Sequence, residues 1–97
     1  MPQKPAAISL EEFANLHELT MELHQRYGGD WYARFARCEV VNGKLLSASS
    51  GDGATEDAAM ENYAQIISGQ VITTDGGITH IIVPELGGVR KPVIPPQ

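Results

Sequence analysis

Four glycine-bearing clusters cut this chain into segments that suit only a small mixed fold. Gly28-Gly29-Asp30, Asn42-Gly43, Gly51-Asp52-Gly53-Ala54 and Asp75-Gly76-Gly77 recur along it, and each supplies residues that tolerate the backbone of a tight turn. The longest apolar stretches, such as Ile81 to Val83, fall far short of the roughly 20 residues that cross a bilayer. At 97 residues, 42% hydrophobic and 20% charged, the chain has the composition of a globular protein and room for one core.

Periodicity assigns the segments. Ser9 followed by Glu12 forms a capping box, and Leu10, Phe13 and Ala14 follow at helical spacing. From Leu19 the period becomes two, with Leu19, Met21 and Leu23 alternating against Thr20, Glu22 and His24. Trp31 to Val41 reads as a second strand, and Asn42-Gly43 as a hairpin turn leading to a third from about Lys44 to Ser50. Gly51-Asp52-Gly53-Ala54 reads as a breaker. Thr55 then caps a helix with Glu56 and Asp57 in its first turn and Ala59, Tyr63, Ile66 and Ile67 on one face, ended by Gly69. Val71 to Thr74 and Ile78 to Val83 make a last hairpin around Asp75-Gly76-Gly77. The expected fold is α+β, in the order α-β-β-β-α-β-β, an antiparallel sheet with helices on one face. Residues 8–86 form a single domain, 1–7 a flexible N-terminus and 87–97 a Pro-rich tail.

Charge and cysteine content narrow the function classes. Seven Lys and Arg against twelve Asp and Glu give a formal charge of -5, which opposes nonspecific attraction to phosphate backbones and favours a protein partner. A lone Cys38 and an N-terminus without a secretory pattern make the cytoplasm the expected compartment.

The residues offer no recognisable catalytic arrangement. His17, His24, His80 and Cys38 fall into no HExxH, CxxC or GxSxG pattern, so no enzyme activity, metal or cofactor is expected. Cys38 reads as a small apolar core residue. Ser50 to Thr55 resembles a phosphate-cradling turn only superficially, because Asp52, Glu56 and Asp57 would repel an anion and no lysine follows. Two surface features remain. Asp52, Glu56, Asp57 and Glu61 surround the start of the second helix as an acidic corner suited to a basic groove. Tyr32 and Arg34, with Arg26 near them, are residue types that anchor interfaces.

The stretch Tyr32-Ala33-Arg34-Phe35, Glu39-Val40, Gly43, Leu45, Gly51-x-Gly53-x-Thr55-x-x-Ala58 and Tyr63-Ala64-x-x-Ile67-Ser68-Gly69 resembles two groups. Its α-β-β-β-α order looks like the double-stranded RNA-binding domain, although Glu56, Asp57, Met60 and Glu61 stand where that family places basic residues. It is also similar to small phage and prophage proteins, a group whose acidic α+β members include inhibitors of CRISPR–Cas systems. That second resemblance implies a non-enzymatic inhibitor that docks on a basic surface of an RNA-guided host complex and blocks nucleic-acid engagement. The alternatives are a nucleic-acid module using Arg26, Arg34, Arg37 and Lys44, and a structural subunit that self-associates through an exposed strand edge.

Overall fold

A computed structural model of the chain describes residues 8–89; the flexible N-terminus expected at 1–7 and the tail from residue 90 lie outside the described residues. The first helix, α1, spans Leu10–Leu16 and begins with the expected capping box. Glu12 N–H donates to Ser9 Oγ at 3.1 Å and Ser9 N–H to the Glu12 carboxylate at 3.3 Å. A helix start leaves further amides without internal acceptors. Here Leu10 N–H donates to the Gly88 carbonyl at 2.8 Å and Glu11 N–H to that of Val89 at 2.9 Å, while Gly87 N–H donates to Ile8 O at 2.8 Å. Residues 87–89, beyond the expected domain boundary, are thus hydrogen-bonded to the start of the domain.

The fold is α+β, with two α-helices and seven strands in antiparallel sheets among the described residues. The strands are β1 Met21–Gln25, β2 Trp31–Phe35, β3 Glu39–Asn42, β4 Leu45–Ser47, β5 Gly51–Gly53, β6 Val71–Thr74 and β7 Thr79–Ile82; the second helix, α2, is Glu56–Ile67. They divide into sheet A, ordered β1-β2-β5, and sheet B, ordered β4-β3-β6-β7. Five strands rather than three therefore precede α2, and the single sheet expected from the double-stranded RNA-binding order is replaced by two.

Two local features cause the division. The expected strand from Trp31 to Val41 is broken at Ala36 and Arg37, where Arg37 takes a left-handed φ of 60° and the chain passes from sheet A to sheet B. The segment expected to break at Gly51-Asp52-Gly53 instead pairs with β2, as Ala33↔Gly51, Tyr32↔Asp52 and Trp31↔Gly53. A Cβ on Gly51 would overlap the backbone of Ala59 and Tyr63, and one on Gly53 that of Ala58 and Ala59. These two glycines let α2 lie directly on the strand, a use of glycine for close backbone approach rather than for a turn. The hairpin at Asn42-Gly43 is displaced by one residue. Asn42 pairs with Leu45, so Gly43 and Lys44 are the central residues, with only Gly43 at positive φ.

The core lies between the helices and both sheets. Phe13, Phe35, Tyr63, Ile67 and Ile72 are fully buried, with Leu10 and Val83 beside them. The Phe35 and Tyr63 rings meet edge to face at 5.3 Å, and Phe13 lies 6.2 Å from Phe35. On α2 the buried stripe comprises Ala59, Met60, Tyr63, Ala64 and Ile67. Ile66, expected on that stripe, falls on its flank and is 37% exposed.

Candidate binding surfaces

Alternation along the strands of sheet A sorts its residues by face. Ala33 and Phe35 point into the core and are fully buried, so Tyr32 and Arg34 point outward. Register brings β1 residues opposite them, His24 to Tyr32 and Glu22 to Arg34, and places Asp52 of β5 on the other side of Tyr32. The outcome is a polar face whose members hold one another. Arg34 Nε donates to Glu22 Oε1 at 3.2 Å. The Arg26 guanidinium pairs with Asp30 at 3.0 Å and with Asp52, and lies 4.9 Å from the centre of the Tyr32 ring. The His24 ring lies 5.3 Å from that of Tyr32, tilted by 32°. Hydrogen bonds donated to Asp52, then to Asp30, hold the Arg26 pKa above its already high ordinary value.

The four carboxylates expected to form one acidic corner are therefore split. Gly51 and Gly53 face α2, and the strand period of two turns Asp52 to the opposite face, where it serves Arg26. Glu56, Asp57 and Glu61 remain together on α2, all exposed, on a helix that carries no lysine or arginine. The helix touches the Asp52 backbone in another way: Asp52 N–H on the edge of sheet A donates to Asn62 Oδ1 at 2.9 Å. Sequence reasoning missed Glu22 and Asp30 as partners of the two arginines; the alternation of β1 across from Tyr32 and Arg34 is the signal that points to Glu22.

The other chemically capable residues have structural surroundings. Thr55 Oγ1 accepts the Ala58 N–H at 3.1 Å, so the glycine-rich turn is a helix start whose glycines serve packing. Cys38 is buried in the turn ahead of β3; burial pushes its thiol pKa up, and the Asp75 carboxylate adds to the effect, both of which disfavour the reactive thiolate. The His17 ring packs 4.6 Å from that of Phe13, and His80 is exposed on β7. Among the described residues no group of three or more His, Cys, Asp and Glu could hold a metal ion, and no helix is long and apolar enough to cross a membrane.

One further region escaped the sequence reading. A cleft of about 620 Å³ opens where the turns after α1, β2 and β6 converge, and Glu18, Arg37 and Asp75 line it. All three have left-handed backbones, a conformation that costs an L-residue about 1–2 kcal/mol.

No protein-family model matches the chain, and neither a curated protein nor a solved structure does.

Proposed function

We propose that this chain is a non-enzymatic inhibitor of the phage type, which docks on a basic, nucleic-acid-binding surface of a host complex such as an RNA-guided CRISPR–Cas effector. The observation that supports a basic protein partner is the contrast between the two charged surfaces. On sheet A, Arg26 and Arg34 are already engaged by carboxylates, which weakens the case for phosphate binding through them. On α2, Glu56, Asp57 and Glu61 stand exposed with no basic residue on the helix. Such a surface attracts a positively charged groove over several ångströms and speeds encounter.

The test is target-DNA cleavage by purified RNA-guided effectors in the presence of the chain. Inhibition that rises with dose and disappears when Glu56, Asp57 and Glu61 are together replaced by Lys is the expected result. Asp52 is left unchanged in that variant because it holds Arg26. Full inhibition by the reversed chain would remove the acidic helix from the mechanism. A gel shift with duplex RNA at low salt, weakening as salt rises, would instead support the nucleic-acid reading.

A second reading, a self-associating structural subunit, is favoured by one observation. Strand β7 is an edge of sheet B, and it carries Ile82 at 79% exposure with Ile78 just before it at 81%. Unpaired edges with exposed apolar residues are templates for pairing with another chain.

A further inference from the structure

Among the described residues, the non-glycine positions with a left-handed backbone are Glu18 (φ 56°), Arg37 (φ 60°) and Asp75 (φ 52°). They belong to three separate turns, and all three line the same cleft. Elsewhere the chain meets a positive φ with glycine, as at Gly29, Gly43 and Gly69, where the absence of a Cβ removes the steric conflict. Around this cleft it carries charged side chains in spite of that conflict. A purely structural requirement for the turn would be met better by glycine, so the side chains themselves are the feature that needs a use.

Their charges are also not consumed within the fold. The arginines of sheet A are paired with carboxylates, whereas Glu18, Arg37 and Asp75 form no ion pair or side-chain hydrogen bond among the described residues. Opposite charges thus line one cleft without closing on each other. Thr20, Thr74 and Thr79 line the cleft with them, and Leu19, Ala36 and Ile81 supply apolar surface. The volume of about 620 Å³ lies within the range of small-molecule sites, roughly 300–1,000 Å³.

The charge pattern selects the ligand. A simple anion attracted to Arg37 meets two carboxylates, and a simple cation attracted to Glu18 or Asp75 meets the guanidinium. A molecule that carries both charges is favoured at both ends. We infer that the cleft binds a small zwitterion of the amino-acid or short-peptide class, its carboxylate on Arg37 and its ammonium on Glu18 or Asp75. Arginine suits that role because its planar fork takes a carboxylate through two parallel hydrogen bonds.

The experiment follows backbone amide shifts of the ¹⁵N-labelled full chain during titration with four probes. These are glycine, triglycine, N-acetyl-triglycine and triglycine amide, the last two each lacking one terminal charge. Saturable shifts at residues 17–20, 36–37 and 74–79 are expected with glycine or triglycine, the pair distinguishing a free amino acid from a peptide. Each capped form should bind about tenfold more weakly, the loss expected from one charge-assisted contact. Arg37→Gly, and Glu18→Gly combined with Asp75→Gly, relieve the backbone conflict, so both variants should melt no lower than the parent chain while losing the response. No saturable shift, equal response to the capped forms, or retained binding in the folded glycine variants would overturn the inference.

Discussion

Sheet A and sheet B share one core, but they finish their outer faces differently. On sheet A the outward residues of β1, β2 and β5 are polar or aromatic, and they pair with one another or with the turn after β1: Glu22 with Arg34, His24 with Tyr32, and Asp52 with Arg26. Sheet B turns Val40, Ile72 and Ile81 toward the core and, by alternation, sends Val41, Leu46, Val71 and Ile82 the other way. Val41 stands opposite Leu46, and Val71 opposite Ile82, with Leu46 44% and Ile82 79% exposed. A sheet face whose polar groups satisfy one another has little left to offer a partner. An apolar row left in water gains by being covered.

The strongest way to break the comparison is to disturb the packing that distinguishes sheet A. Gly51→Ala would drive a methyl group into the backbone of α2, and overpacking of this kind should destabilise the chain by about 3 kcal/mol. Gly43→Ala, in the hairpin of sheet B, meets no atom within 4 Å; it should cost only about 1 kcal/mol, from its left-handed backbone. Urea denaturation of both variants measures the difference, and similar losses would mean that α2 does not depend on the bare strand beneath it.

A smaller effect sharpens the same contrast through pH. Tyr63 of α2 is buried against Phe35 of sheet A, and burial pushes its pKa up to about 12 from 10.0. The folded state holds the phenolic proton more tightly than the unfolded chain does, so the associated stability is complete below pH 10 and is lost as pH rises from about 10 to 12. Two pKa units correspond to roughly 2–3 kcal/mol. Tyr63→Phe should flatten the alkaline limb of a stability–pH curve, and an unchanged limb would place the titration elsewhere.

The smallest effect on stability belongs to sheet B. Ile82→Lys alters an exposed side chain and should change unfolding free energy by no more than about 0.5 kcal/mol. Light scattering at rising concentration gives the informative readout. Self-association that the lysine removes would support the edge-strand reading, and a parent chain that stays monomeric throughout would count against it.

Much of the fold was legible because its signals are local. The capping box at Ser9 and Glu12, the cap at Thr55, the left-handed Gly69 and the alternation through Met21 and Leu23 each depend on residues a few positions apart. The division into two sheets was hidden because its turn rests on Arg37, a residue with no turn preference. Gly51 and Gly53 misled for the opposite reason. Paired glycines are turn residues by default, and their use under α2 becomes visible only once Ala59 and Tyr63 are known to lie above them. The acidic corner failed on the same strand, since reading β5 as a loop removed the alternation that sends Asp52 away from Glu56. The cleft of Glu18, Arg37 and Asp75 joins three turns distant in sequence, and no local pattern connects them.

The hydrogen bonds at the start of α1 bear on the order in which the molecule can be completed. A helix of seven residues has little stability alone, and two of its leading amides find their acceptors at Gly88 and Val89. On a ribosome, which makes a chain from its N-terminus, those acceptors emerge long after the helix itself. Helix α1 is thus made before the other described elements and secured only after them, and a nascent chain stalled before Gly88 would display Leu10 and Phe13 without the backbone that fastens them down.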